Sequence, residues 1–425
     1  MQFQQSRAFA LELDAKDTLA PFRDAFLIPE QGGKKVIYFL GNSLGLQPKS
    51  TTSLLQQVMD QWQRWGVEGF FRGDQPWLQY HNKLTGPLSK IIGAKPEEVV
   101  VMNSLTVNLH LMLVTFYQPI AKRNKILCEA KAFPSDQYMM ETHVKQRGLN
   151  PDEVIIEVKP REGEVLIRQE DILDAIQKHG DELSLVFWGG VNYYTGQVFE
   201  MEGITKAAKN VGAKVGYDLA HAAGNIALQL HDWNVDFACW CSYKYLNSGP
   251  GAIGGVYIHE RYHDDKSLHR FAGWWGYNKQ TRFKMQPGFD PVTSAEGWQL
   301  STPSPFLYAA HKASLDLFEA AGMKAIHEKG KQLSDYLLFL LQDLDKDSAK
   351  PLVKVLTPSS EKGCQVSILM LQHGKPIFDR LSEQGVFADW REPDVIRVAP
   401  VPLYNTFDEV WQFVSILKEA CAHFQ

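Results

Sequence analysis

Between residues 98 and 258, short apolar runs alternate with stretches of helical periodicity, and few architectures accept such an alternation. The runs fall at 98–103, 154–158, 183–188, 213–217, 235–241 and 252–258, with amphipathic stretches at 106–117, 169–179 and 203–211 between them. Strands joined through helices lie parallel to one another, with the helices packed across the faces of the sheet. The pattern predicts an α/β fold with a mostly parallel sheet flanked by helices. In open sheets of this kind ligands gather beyond the carboxyl ends of the strands. Asn103, Asp218 and Lys244 all fall at such ends.

After Pro305 the texture changes. Helical patterns cover 307–327 and 331–344, strand-like runs cover 364–371 and 396–400, and a helix is expected over 377–384. A closing amphipathic helix is expected over 407–424 behind Asn405 as its N-cap. These elements predict a smaller α+β domain over 306–425, a large α/β domain over 48–305 that holds the ligand, and a joining segment at 1–47.

Lys244 lies in Cys239-Trp240-Cys241-Ser242-Tyr243-Lys244-Tyr245-Leu246-Asn247-Ser248-Gly249, between an apolar run and a glycine-rich turn. Taken alone, a lysine is most often a surface residue with its stem laid over apolar neighbours. At the end of a buried strand its amine must instead lose its charge, find a partner or be covalently bound, as in Schiff-base lysines. Upstream, Gly216-Tyr217-Asp218-Leu219-Ala220-His221 ends a second apolar run in a carboxylate. Alone, Asp218 reads as a turn former. Together the two suggest a pyridoxal phosphate site, because a carboxylate beside the pyridine nitrogen keeps it protonated while the lysine forms the Schiff base.

Two other motifs are misleading. Gly249-Pro250-Gly251-Ala252-Ile253-Gly254 fits the dinucleotide fingerprint, yet a strand-like run follows where that motif needs a helix. Gly41-Asn42-Ser43-Leu44-Gly45 fits a nucleophile elbow, but Pro48 disfavours helix where the elbow's helix should already run. A phosphate has a better berth at Asn103-Ser104-Leu105-Thr106, where a strand passes into a helix start. A plain helix cap would look the same in sequence. Phe133-Pro134-Ser135-Asp136 offers a ring that could stack on the pyridine, and equally an ordinary loop packed on the core.

The five cysteines lack a disulfide spacing and read as buried thiols, and the thirteen histidines show no paired metal-ligand spacing, so no metal is expected. A formal charge of −5 without a basic run argues against nucleic acid or an anionic membrane as partner. No apolar stretch is long enough to span a bilayer, and the acidic first twenty residues lack a signal-peptide core, so a reducing cytoplasm is expected. Trp62, Trp65, Phe70, Phe71, Trp77 and Tyr80 cluster in sequence and are expected in the core, or as the wall of an aromatic pocket.

With these residues in hand, the chain resembles the kynureninase family of fold type I pyridoxal phosphate enzymes over nearly its full length. The blocks 231–251 and Arg397-Val398-Ala399-Pro400-Val401-Pro402-Leu403-Tyr404-Asn405 are the most specific, supported by 41–49, 133–136, 194–197 and 218–221. The resemblance implies a seven-stranded sheet and a homodimer with shared sites. It implies that Lys244 carries the cofactor, Asp218 meets the pyridinium and Phe133 stacks on the ring. Leu105, Thr106 and Tyr243 would contact the phosphate, with Pro134, Ser135, Asp136 and His221 close by. Trp274 and Thr302 would reach the phosphate from the neighbouring subunit, while Arg397 and Ser43 would meet the substrate. The implied reaction is hydrolysis of L-kynurenine, with its 3-hydroxy form as the alternative substrate, to anthranilate (or 3-hydroxyanthranilate) and L-alanine, with Tyr243 as an acid/base candidate. Thr302 stands where animal members carry asparagine, and Gly189 where some carry serine, so the ring-hydroxyl preference stays open. A desulfurase would need an exposed, mobile cysteine late in the chain, and neither Cys364 nor Cys421 fits. A cofactor-binding protein without turnover is the rival of another class.

Overall fold

The computed structural model describes residues 2–344 and 351–424. Its central sheet contains β1 (Val99–Val101), β2 (Lys125–Glu129), β3 (Ile155–Val158), β4 (Leu183–Gly189), β5 (Lys214–Asp218), β6 (Phe237–Trp240) and β7 (Gly255–Ile258). The spatial order is β1-β7-β6-β5-β4-β2-β3. Every pairing is parallel except those of β7, which runs against both β6 and β1.

The strands read as near-continuous apolar runs because both faces are covered. Alternate side chains of β4 enter different cores. Leu185 and Phe187 pack with Leu109, Met112 and Phe116 of α1 (Leu105–Phe116) and with Met139, Met140 and Val144 of α2 (Pro134–Gln146). Val186 and Trp188 face Ile172 and Ile176 of α3 (Gln169–His179) and Ile204 and Ala208 of α4 (Met201–Asn210).

The sequence pattern omitted β2 and α2. The run Lys-Ile-Leu-Cys-Glu is flanked by polar residues and is short, yet it sits inside the sheet between β4 and β3. α2 carries its charged and apolar residues without a clean helical stripe, so no periodicity announced it.

Beyond residue 304 the chain forms α5 (Pro305–Ala321) and α6 (Met323–Leu341). The break falls at Gly322 rather than in the expected 328–330 gap. Gly322 has φ +77°, a conformation open to glycine without a Cβ penalty. Gly330 stays helical, and a Cβ there would lie 3.1 Å from Cys364 Sγ, so its value is close packing. A second, antiparallel sheet follows in the order β8-β9-β11-β10, from β8 (Val353–Val355), β9 (Val366–Met370), β10 (Asp389–Arg391) and β11 (Val395–Val398). α7 (Phe407–His423) packs on it, and its N-cap is Thr406 rather than Asn405. Thr406 Oγ1 accepts from Glu409 N at 3.1 Å while the Glu409 carboxylate accepts from Thr406 N at 3.1 Å, a reciprocal capping box. Asn405 instead bonds Val401 N and Tyr38 O.

The amino-terminal segment divides between the core of this second sheet and that of the central sheet, where Leu19, Phe26 and Leu46 are buried. Ala10, Leu13 and Phe39 are buried with Tyr336, Ile396 and Phe413. Ile37–Tyr38 pairs in parallel with Val386–Phe387, and Arg7 pairs with Asp408 at 2.8 Å. No helix among the described residues is long and apolar enough to cross a membrane.

Candidate active site

β5 and β6 are adjacent parallel strands, so the loops beyond their carboxyl ends must meet. Asp218 is the last residue of β5, His221 lies in the turn after it, and Lys244 lies in the loop after β6. Lys244 Nζ is 2.9 Å from His221 Nε2 and 5.9 Å from the centre of the Phe133 ring. Behind Lys244 the chain at Gly45 closes on the loop from the other side. Gly45 N donates to Tyr243 O at 2.8 Å, and a Cβ on Gly45 would lie 2.4 Å from Lys244 O. Only glycine permits that approach.

These groups line a cavity of about 210 Å³ together with Ser104, Leu105, Thr106, Ser135, Asp136, Glu129, Gly189, Tyr193 and Tyr243. Asp218 Oδ1 accepts from Ala220 N at 2.7 Å. Burial raises the Asp218 carboxyl, opposed by that N–H and by the Lys244 charge. Asp136 shares a hydrogen bond with Asp218, and burial together with the Asp218 charge lifts it well above the usual carboxylate range. Asp136 therefore keeps the proton of the pair and Asp218 the charge. His221 is depressed by burial and then by Lys244, so its ring is neutral. Burial raises the Tyr243 phenol, which stays protonated at neutral pH.

The cavity's end wall is the start of α1. Ser104 is the N-cap, with an extended backbone and no side-chain capping bond. The first N–H groups of α1 thus face the cavity without an internal acceptor, a ready berth for an anion. Thr106 is the second residue of the helix rather than its cap. Two buried polar atoms, Asp136 Oδ1 and His221 Nδ1, have no hydrogen-bond partner among the described residues. An amine, a carboxylate opposite it, an exposed aromatic face and an anion berth match the parts of pyridoxal phosphate: aldehyde, pyridinium, ring and phosphate.

Of the residues singled out in the sequence, Leu105, Thr106, Phe133, Ser135, Asp136, Asp218, His221, Tyr243 and Lys244 meet around this cavity. Pro134 is the first residue of α2, where its missing N–H costs nothing. Arg397, on β11, is buried, donates to Tyr193 O and pairs with Asp389. Tyr193 links it to the cavity, its ring 5.2 Å from that of Phe133. Ser43 is exposed and lies off the cavity lining, as do Trp274 and Thr302. Trp274 is 43% exposed and packs on Phe283, which also meets Phe71. The early aromatic cluster is thus only partly core: Trp62 and Phe71 are exposed, Trp65, Phe70 and Trp77 are half-buried, and Tyr80 is buried.

Glu129 escaped the sequence reading. It ends β2 inside the cavity wall, accepts from Asn192 Nδ2 at 2.9 Å, and is pushed up to about 7, chiefly by burial. Its signal was a short apolar run ending in a carboxylate, the same sign that marked Asp218. All five cysteines are buried.

Residues 37–360 match the class-V aminotransferase family model, and residues 326–417 match the kynureninase C-terminal domain model. Kynureninase of Flavobacterium psychrophilum is 54% identical over 421 residues, covering 99% of each chain. That of Myxococcus xanthus is 51% identical, covering 98% of this chain and 97% of its own. That of Nematostella vectensis is 47% identical, with coverage of 98% and 94%. Among solved structures, the cystine C-S lyase C-DES aligns with a TM-score of 0.76 at 18% identity, covering 90% of this chain and 97% of its own. The Escherichia coli cysteine desulfurase CsdA aligns with a TM-score of 0.76 at 14% identity, covering 96% and 99%. These two likenesses establish the fold type alone.

Proposed function

Because the chain belongs to the kynureninase family, we propose that it is a pyridoxal phosphate-dependent hydrolase acting on L-kynurenine. Water and substrate become anthranilate and L-alanine by cleavage of the Cβ–Cγ bond, and the 3-hydroxy form is taken as a second substrate. The observation that carries this reading is Lys244 facing His221, Phe133 and Asp218 in one buried cavity. When bound, the cofactor supplies the electron sink for a carbanion at the substrate Cα.

The residues divide the remaining work. Lys244 Nζ holds the cofactor and then moves protons at the substrate carbons, with His221 Nε2 fixing its direction. Asp218, kept charged by its bonded neighbour Asp136, holds a proton on the pyridine nitrogen. Leu105, Thr106 and Tyr243 anchor the phosphate, and Pro134 and Ser135 shape the wall beside Phe133. Tyr243, protonated and near Lys244, delivers a proton to Cβ, which keeps the electron pair of the broken bond and becomes the methyl carbon of alanine. Arg397 and Ser43 receive the substrate's polar end, Arg397 as a planar fork suited to a carboxylate.

The assembly proposed is a homodimer. Exposure of Trp274 and Phe283 away from the chain's own cavity supports it. In that assembly the partner subunit's Trp274 and the partner subunit's Thr302 complete the phosphate site. The division into 48–305 and 306–425, joined through 1–47, and a cytoplasmic location belong to the same reading.

Purified protein supplied with the cofactor should release anthranilate from L-kynurenine at steady state. Borohydride reduction should fix a pyridoxyl group on Lys244. A pyridoxyl label on another lysine would sink the site, and absence of anthranilate would sink the reaction.

A further inference from the structure

Far from the cavity, at the opposite end of the sheet, three potential ligands converge. Glu98 immediately precedes β1, His259 immediately follows β7, and His231 lies in the connection before β6. β1, β7 and β6 are neighbours, so these positions meet although the sequence separates them. Their ligand atoms all lie within 4.8 Å of one another. Glu98 is fully buried. His231 Nδ1 is 2.9 Å from Glu98 Oε1, and His259 Nδ1 is 3.6 Å from the same oxygen. The two imidazoles stack at 5.0 Å between centroids.

Ordinary hydrogen bonding accounts for part of this cluster. Glu98 accepts from Lys95 N at 3.0 Å and Glu260 N at 2.9 Å, and His231 donates to it through Nδ1. His259 does not join that scheme. Its Nδ1 accepts from Arg261 N at 3.2 Å as a helix cap and so has no proton to give Glu98; an ion on Nδ1 would displace that capping bond. We propose that Glu98, His231 and His259 form a divalent-metal site that takes Zn²⁺, with water in the fourth position.

Two of the three edges, at 2.9 and 3.6 Å, bracket about 3.3 Å, the edge of a tetrahedron with bonds of about 2.0–2.1 Å, and the third lies within 4.8 Å. Two imidazoles and one carboxylate suit Zn²⁺ better than the oxygen-preferring Mg²⁺ or Ca²⁺. The two backbone N–H groups on Glu98 orient the carboxylate as outer partners of metal ligands do. His231, a quarter exposed, opens the way in. The nearest cations already have partners, Lys95 with Glu260 at 2.7 Å and Arg261 with Asp236 at 2.9 Å. A bound ion would replace the proton of His231 and tie together the ends of three strands, raising heat stability without entering the reaction.

The test is equilibrium dialysis of the holoenzyme against Zn²⁺ with metal analysis. One equivalent per chain should be retained, and the melting temperature should rise by about 2–4 °C when Zn²⁺ is in large excess over its Kd. His231→Gln keeps a donor for Glu98, and His259→Gln leaves the carboxylate untouched. Each should weaken binding at least about ten-fold, the loss of one coordinating nitrogen. On the unaltered protein, Co²⁺ should give intense visible ligand-field bands that Zn²⁺ abolishes. Sub-stoichiometric retention, or retention unchanged in both variants, would overturn the proposal, as would weak octahedral Co²⁺ spectra.

Discussion

Asp218 and Asp136 occupy one buried wall and cannot both ionise cheaply, so the environment sorts them into acceptor and donor. Asp218→Ala should therefore cripple turnover more than folding, because it removes the carboxylate whose charge the pair retains to meet a pyridinium. A variant that binds the cofactor and turns over near the unaltered rate would refute that role. Arg397 makes a different demand. Its guanidinium is buried and already committed to Asp389 and Tyr193 O on one side, while Nε has no partner. Arg397→Lys keeps the charge but loses the fork, so KM for kynurenine should rise while cofactor absorbance stays unchanged. The expected loss is roughly 1.5–3 kcal/mol, about one to two decades in kcat/KM. An unchanged kcat/KM would mean that Arg397 does not touch substrate. At this scale the sequence was a good guide where chemistry needs paired groups, as with Lys244 and Asp218. It was poor for Glu129, whose only mark is a carboxylate after four residues, and for Glu98, His231 and His259, which only the strand order brings together.

Among elements, the site depends on one backbone approach that no side-chain pattern reveals. The alternation of runs and helices indicated the sheet, whereas Gly45 stood out only in a misleading nucleophile-elbow motif. Its use is steric. A Cβ on Gly45 would lie 2.2 Å from Asn247 Oδ1 and 2.4 Å from Lys244 O, too close for any small adjustment. Gly45→Ala should push the Lys244 loop outward. After desalting, the variant should lose its yellow colour while far-ultraviolet circular dichroism stays close to that of the unaltered protein. Full retention of the cofactor would show that the loop yields without consequence. The missed elements share a cause: β2 and α2 owe their places to neighbours on both sides rather than to a period of their own, and tertiary context overrides weak local preference. The Gly322 break was hidden for a related reason, because two glycines were available and only packing distinguishes them.

For the molecule as a whole, His311 of α5, a helix whose Tyr308, Leu315 and Phe318 pack in the core of the central sheet, buttresses the loop around Lys244. Its Nδ1 meets Ser248 Oγ at 2.6 Å and its Nε2 lies 3.4 Å from Ser242 Oγ, with the ring wholly buried. Burial lowers its pKa to about 3. An unfolded chain takes up this proton near pH 6.5, whereas the folded protein refuses it until about 3. Its contribution to stability is thus intact above about pH 6.5 and declines as pH falls toward 3, by roughly 1 kcal/mol per pH unit. His311→Gln should flatten the acid side of a melting-temperature profile between about pH 6.5 and 4.5 relative to the unaltered protein; parallel profiles would exclude the residue. The placement of the first forty residues has a consequence in time as well as in space. Phe39 completes a core whose other members run to Cys421, and Leu40 bridges Ala399. During synthesis this early segment emerges long before its partners exist. Ala10, Leu13 and Phe39 have no complete core to enter until the last helix has left the ribosome, so the lysine loop that Gly45 braces gains that brace only while the second core is closing.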